Sequence, residues 1–428
     1  MANLMIIKNA RIYTPKPEPE PLNILIKDGQ IYDIGKDAFF PAELGTAILI
    51  DAKGLSVIPG LVDVHVHFRD PGFTHKEDIE TGARAAAKGG FTSVVMMANT
   101  KPCIDNPETL KYVLDKGRTT KIRVYSCANV TVGMKGKELT DMDALKALGA
   151  VGFTDDGIPI LSGDIVTKAM EKCAELNVPI SFHEEDPAYI GNNGINHGRA
   201  SLHYGIQGSD RQAEISMVKR DLEIALKTGA HIDIQHISAK ESVELVREAK
   251  KRGSNIHAEA TPHHFTLTEE AAIEYGTNAK MNPPLREEAD RLAIIEGLKD
   301  GTIDMIATDH APHSKEEKAR PITEAPSGII GLETALSLGI TELVHKGYID
   351  MERMLTLMSE NPAKLYHLDA GYIKKGGPAD LVILDPDAEV TAGDYFSKSD
   401  NTPFTGRRLK GRVLYTICGG NIAYSAGL

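Results

Sequence analysis

Between residues 60 and 313 short apolar runs alternate with helical stretches, and this alternation restricts the fold more than any other feature of the chain. The runs are "GLVDVHVHF", "FTSVVMMAN", "KIRVYSCANV", "AVGFTDD", "VPISFHEE", "HIDIQHIS", "NIHAEATPHH" and "TIDMIATDH", eight in all. The segments between them, among them "HKEDIETGARAAAKGG", "GDIVTKAMEKCAELN" and "RQAEISMVKRDLEIALKTG", carry apolar residues at the spacing of a helix face. Several end at glycine, a common helix terminator. The tetrapeptide "SAKE" (residues 238–241) reads as a capping box just after the sixth run. Eight alternating strand and helix units predict an α/β fold, a (β/α)8 barrel of parallel strands.

The two ends of the chain follow a different pattern. "LMIIKNARIY", "NILIKDGQIYDIG" and "AILIDAKGLSVIPG" near the start are β-rich runs broken by Asp-Gly and Lys-Gly turns. After Gly371, "ADLVILD" and "GRVLYTICGGNIAY" repeat this style, and neither end holds a strong helix. The expectation is one small β-domain built from residues 1–56 and 371–428, beside a barrel over 57–370. A length of 428 residues suits that division.

Charge and cysteine content narrow the function. There are 48 Lys and Arg against 60 Asp and Glu, a formal charge of −12. A basic face for phosphates is not expected, which argues against nucleic acid as a partner. Cys103, Cys127, Cys173 and Cys418 form no CxxC pair, so neither a cysteine zinc knuckle nor a thioredoxin-like motif is present. Scattered single cysteines fit a reducing compartment. The first apolar run is too short for a signal peptide, and no stretch approaches the roughly 20 apolar residues that span a bilayer. A cytoplasmic protein with no membrane partner is expected.

In a barrel of this kind the site lies at the C-terminal ends of the strands. Those ends carry His65, His67 and Arg69; Asn99; Asn129; Asp155 and Asp156; His183, Glu184 and Glu185; His236; His263 and His264; and Asp309, His310 and His313. His65 and His67 are two apart on a strand, so both imidazoles share a face and reach one ion. Neutral imidazole is a good zinc ligand. Asp309, on the last strand beside the first, completes that shell. His183 and His236 end neighbouring strands and suit a second ion, and a carboxylate from the fourth strand, Asp155 or Asp156, could bridge the two. Paired metals suit hydrolysis of an amide, imide or ester. Asp63 reads as a barrel-layer residue, and His263, His264 and His310 as neighbours of the site. Asn361 with Pro362 reads as a helix start.

These motifs, "DVHVHFRDPG", "MMANTKP", "GFTDDG", "SFHEED", "QHIS", "MNPPLR" and "ATDHAPH", resemble the amidohydrolase superfamily and, more closely, its type I dihydroorotases. The first motif departs mildly from the family's usual HxHLREPG, with Phe68 and Asp70 in place of Leu and Glu. The resemblance implies two divalent ions, Zn2+, held by His65, His67, Asp156, His183, His236 and Asp309. Asp156 lies 27 residues before His183, which fits the family spacing. Hydantoinases, dihydropyrimidinases and allantoinases typically bridge their metals with a carboxylated lysine, and "GFTDDG" has none. The implied reaction is reversible hydrolysis of dihydroorotate to N-carbamoyl-L-aspartate in pyrimidine synthesis, by a hydroxide held between the ions with Asp309 as general base and then acid. His67, Arg69, Asn99, Asn282, His313, Ser327 and Gly328 would contact substrate. A homodimer, and association with aspartate transcarbamoylase, are also implied. The alternatives are another cyclic amidase, or a silent scaffold homologue.

Overall fold

The structure is a computed structural model that describes residues 4–14, 16–38 and 47–427. Its first element, β1 (Leu4–Ile12), shows why the chain start is a sheet. Leu4 to Ile7 are all buried, although strand side chains alternate between two faces. Met5 and Ile7 join Ile24, Ile26 and Ile50 in one cluster, while Leu4 and Ile6 pack with Leu25 and Ala38 in another. Both faces are covered, so an unbroken apolar run is required there. A bulge between Ile7 and Ala10 follows, with Asn9 at φ 57°.

β2 (Leu22–Lys27) and β3 (Gln30–Gly35) extend β1 as an antiparallel meander. β4 (Ile48–Asp51) and β5 (Ser56–Pro59) each run parallel to β1. The chain then enters the barrel through β6 (Leu61–Val66), β7 (Phe91–Met96), β8 (Arg123–Ser126), β9 (Ile180–Phe182), β10 (Ile232–Ile234), β11 (Ile256–Ala260) and β12 (Met305–Ile306). It returns to the first sheet as β13 (Leu381–Thr391), β14 (Arg408–Cys418) and β15 (Asn421–Ser425). The order β15-β14-β13-β5-β1-β2-β3 joins the two chain ends in one sheet.

The barrel strands pair in parallel as β6-β7-β8 and β9-β10-β11-β12. Two residues close the ring. His310 bridges to Val66, joining the last stave to the first, and Phe153 bridges to both Ala128 and Ile180. The fourth predicted strand is therefore a single paired residue, although its backbone is bonded on both sides. Ala128 N–H donates to Gly152 O and Thr154 N–H to Ala128 O, at 3.0 and 2.9 Å, and Ser181 N–H donates to Phe153 O at 3.0 Å. The stave ends there because Asp155 turns back onto the preceding loop and accepts from the amides of Val130 and Thr131.

Helices cover the outside. α1 (Ile79–Lys88), α2 (Pro107–Gly117), α3 (Met142–Leu148), α4 (Gly163–Leu176), α5 (Arg199–Tyr204), α6 (Gln212–Thr228), α7 (Lys240–Lys250), α8 (Pro262–Thr266), α9 (Glu270–Tyr275) and α10 (Glu288–Asp300) follow in turn. α1 begins in a reciprocal cap between Asp78 and Thr81 and buries Ile79, Ala83, Ala86 and Ala87. α6 and α10 end at Gly229 and Gly301, both left-handed. The capping box expected at "SAKE" does not form. α7 starts from Ala239 with no side-chain cap, because the Ser238 hydroxyl donates to the buried Glu214 carboxylate and accepts from Arg286 Nε at 2.9 Å. A charged acceptor binds more strongly than a helix amide offers.

Candidate active site

Three residues at the mouth of the barrel adopt left-handed backbone that side chains other than glycine seldom take: Arg69 at φ 59°, His236 at 31° and Asp309 at 46°. Such conformations cost on the order of 1–3 kcal/mol each and collect at functional sites. They follow the ends of the first, sixth and eighth staves. The first and last staves are stitched together at the same level. Asp63 Oδ1 accepts from the amides of His65 and Thr308, both at 3.1 Å, and Oδ2 from the Thr308 hydroxyl at 2.6 Å. His67 N–H donates to His310 O at 2.9 Å. Asp63 thus fixes the backbone beneath the ligands, and its burial pushes its carboxyl up to about 6.

All six residues expected to hold metal converge and are buried. His65, His67 and Asp309 form one cluster and His65, Asp156 and His236 another, with ligand atoms within 4.8 Å of one another. Asp309 Oδ1 lies 2.9 Å from His67 Nε2 and 3.4 Å from His65 Nε2. Asp156 divides its carboxylate between the clusters. Oδ2 is 3.4 Å from His67 Nε2, whereas Oδ1 is 3.5, 3.9 and 4.0 Å from His65 Nε2, His236 Nε2 and His183 Nδ1. His183 Nδ1 and His236 Nε2 face each other at 2.9 Å.

The far side of three of the four imidazoles is held, whereas His236 Nδ1 is buried without a hydrogen-bond partner. His65 Nδ1–H donates to Glu259 Oε1 at 2.5 Å, His183 Nε2–H to Glu185 Oε2 at 3.0 Å, and His67 Nδ1–H to Asn99 Oδ1 at 3.0 Å. Each bond leaves the opposite nitrogen facing the cluster, the usual way a ligating histidine is oriented. His65 Nε2 is buried and has no hydrogen-bond partner. An orphaned lone pair among carboxylates is what a cation site requires, so these residues fit divalent metal. Glu259 was not legible as functional; it is the penultimate residue of β11, in "HAEA", with no spacing that marks it.

The electrostatics agree. Burial pushes the Asp156 carboxyl up, but the His65, His67 and His183 imidazoles outweigh it and hold it well below the carboxylate range. Burial pulls His65 down, yet Glu259, Asp309 and Asp156 raise it well above an ordinary histidine. His236 goes the other way, pulled down by burial and by His183 and His65. A divalent ion would take the place of the protons that this set of carboxylates attracts.

The remaining expected site residues surround this centre. Arg69 Nε donates to Pro312 O at 3.2 Å, and its Nη2 lies 3.4 Å from His313 Nε2. His313 Nε2–H donates to Ser327 O at 2.9 Å, while Lys76 Nζ approaches Nδ1 at 3.3 Å. Burial and the charges of Arg69 and Lys76 keep that imidazole neutral. Asn282 Oδ1 is buried without a partner. Gly328 is occupied within the protein: its N–H donates to Lys280 O, and its carbonyl accepts from Asn401. Asn99 is also engaged, since Nδ2 donates to Asp156 O and Oδ2, both at 3.2 Å. A substrate carboxylate could reach Asn99 only by opening one of those bonds.

Other candidates take structural work. Asp155 accepts from Val130, Thr131 and Asn129, all outside the metal cluster. His264 is fixed between Thr261 Oγ1 and Pro283 O at 2.8 and 3.0 Å. His310 accepts the Gly331 amide and sits 3.4 Å from Glu77. In the "RDPG" turn, Asp70 accepts from Tyr112 Oη on α2 at 2.9 Å. Gly72, at φ 99°, comes so close to Lys101 that an added Cβ would lie 2.2 Å from its carbonyl oxygen.

The fold has known counterparts. An L-hydantoinase (dihydropyrimidinase) from Arthrobacter aurescens superposes with a TM-score of 0.88 at 26% identity, covering 100% of this chain and 97% of that one. A D-hydantoinase superposes at 0.85 with 24% identity, covering 99% and 95%. A TIM-type barrel with a composite β-domain and a histidine–aspartate centre at its mouth defines a hydrolase of the amidohydrolase class. The Dihydro-orotase-like family profile matches residues 54–242. Dihydroorotases of Clostridioides difficile (strain 630) and Lactococcus lactis subsp. lactis are 55% and 50% identical over 424 residues, covering 99% of this chain and 100% and 99% of theirs. The chain belongs to the dihydroorotase family. Among the described residues no helix is long and apolar enough to cross a membrane.

Proposed function

We propose that this protein hydrolyses the ring amide of dihydroorotate to N-carbamoyl-L-aspartate, and closes the ring in reverse, with two zinc ions held by His65, His67, Asp156, His183, His236 and Asp309. The observation that carries the reading is the divided carboxylate of Asp156, one oxygen toward His67 and the other toward His65, His183 and His236. When bound, such ions supply Lewis-acid polarisation of a carbonyl and lower the pKa of water.

The protein's own groups do the rest. Asp309 takes the proton of the attacking water on its carboxylate and returns it to the departing ring nitrogen, base and then acid. Arg69 receives the substrate carboxylate; a guanidinium fork matches that geometry. His313, kept neutral, and Asn282, whose Oδ1 has no protein partner, face the same substrate. Ser327 and Gly328 form the wall beside the ring. Asn99 couples His67 to Asp156 and so holds two ligands in register.

Hydantoinase-like structures are the rivals by shape, but at 23–26% identity they bear on the fold alone. Side-by-side turnover of dihydroorotate and hydantoin by the purified protein decides: dihydroorotate should dominate, and preferential hydantoin turnover would overturn the assignment. The family resemblance further supports a cytoplasmic homodimer that associates with aspartate transcarbamoylase, and a division at residues 1–56 and 371–428 against 57–370. Sedimentation of the protein alone and mixed with that transcarbamoylase tests the homodimer and the association.

A further inference from the structure

Two lysines behind the site are almost fully buried, Lys280 at 4% exposed and Lys318 at 5%, and neither forms an ion pair among the described residues. Their ammonium groups bind main-chain carbonyls of a single segment. Lys280 Nζ donates to Ile322 O and Ala325 O, both at 2.7 Å, and Lys318 Nζ to Pro326 O and Gly328 O at 2.9 and 3.0 Å. Burying a cation without a carboxylate is costly. Burial and the neighbouring Lys280 bring the Lys318 amine down to about 7.

The segment they hold carries the wall of the substrate site. Ser327 O accepts from His313, and the Gly328 amide donates to Lys280 O at 3.0 Å, two residues before Asn282. The 190–198 loop closes on the same wall from the other side. Gly194, at φ 77°, is so near that an added Cβ would stand 2.3 Å from Ser327 Oγ and 2.9 Å from Asn282 Oδ1.

We propose that Lys280 and Lys318 are positioning residues for the substrate: by clamping four carbonyls of residues 322–328 they hold Ser327, His313 and Asn282 in one preformed wall against the ring. This rests on the dihydroorotate reading above. A wall fixed in advance spares the ordering cost at binding, and misplacement of positioning groups by about 1 Å can cost about a hundredfold.

The test uses the full-length, metal-loaded protein with Lys318→Met and Lys280→Met. Met keeps the stem and removes the donor. Expected is a rise in KM for dihydroorotate on the order of tenfold to a hundredfold, with kcat changed less than about threefold and metal content unchanged. Amide hydrogen exchange in residues 320–329 should accelerate while the barrel strands keep their rates. An unchanged KM despite faster exchange, or exchange that does not change, overturns the clamp. A fall in kcat with loss of metal at constant KM also overturns it, because that is a folding effect. If neither lysine variant folds, Gly194→Ala crowds the same wall, and the Lys280 stem at Cγ, while leaving both Nζ donors in place. It should raise KM in the same way, and an unchanged KM there refutes the preformed wall. Wild-type protein that fails to turn over dihydroorotate would sink the substrate reading instead; the exchange measurement would still judge the clamp.

Discussion

Replacing Glu259 by Gln should weaken metal binding by about tenfold to a hundredfold, the range typical for the partner of a ligating histidine. The magnitude follows from two bonds. Glu259 Oε1 accepts His65 Nδ1–H at 2.5 Å and the His236 backbone N–H at 3.3 Å, and both side chains are excluded from water. Glutamine keeps the shape but removes the charge. A hydrogen bond to a charged group contributes about 1.5–3 kcal/mol against about 1 for a neutral one. The loss at His65 is therefore about 0.5–2 kcal/mol, roughly two- to thirtyfold in affinity at about 1.4 kcal/mol per tenfold. Oε2 has no partner, so the amide also places an unsatisfied donor in a buried site. Apo wild-type and Glu259→Gln proteins are titrated with zinc against a chromophoric chelator. If the folded variant binds zinc within about twofold of wild type, the orienting role assigned to Glu259 is wrong.

Asp309→Asn should keep most of the metal but lower kcat by about 10²–10⁴-fold, the span of general acid–base catalysis; near-normal turnover with metal verified by elemental analysis would refute the proton role. Arg69→Ala should raise KM for dihydroorotate by about ten- to a hundredfold, as expected for a lost charged hydrogen bond, while kcat falls less; unchanged steady-state kinetics would refute the carboxylate contact. His257, outside the histidine–aspartate cluster, stacks on His231 and is pushed down to about 3 by burial, then by His231 and Lys250. The unfolded chain binds that proton below pH 6.5, so the group's contribution is complete above 6.5. It is lost as the pH falls toward 3, by up to about 1.4 kcal/mol per pH unit. Denaturation of His257→Gln should show a shallower loss of stability over that window, and an identical slope would contradict the shift.

The barrel was legible because its parallel strands are buried on both faces and read as unbroken apolar runs, each ending in a polar residue at the same end. That regularity placed His65, His67, His183, His236 and Asp309 at one mouth before any contact was known. Spacing could not separate Asp155 from Asp156, since adjacent residues on a strand end differ only in where each side chain turns. In the structure Asp155 turns to the Val130 and Thr131 amides, and Asp156 to the histidines. Partners far apart in the chain were equally hidden. Glu259 reaches His65 across 194 positions, and Ser238 abandons its helix for Glu214, 24 positions away. The lysine clamp could not be read either, because its acceptors are backbone carbonyls, which every residue offers.

Chelation bears most directly on the metal centre. Dihydroorotate turnover should vanish in protein stripped of metal, and return with about two zinc ions per chain. The Asp156→Asn variant should retain less than wild type at either position. Metal-free protein that still turns over dihydroorotate, or an Asp156→Asn variant that binds two ions as tightly as wild type, would contradict a centre bridged by that carboxylate.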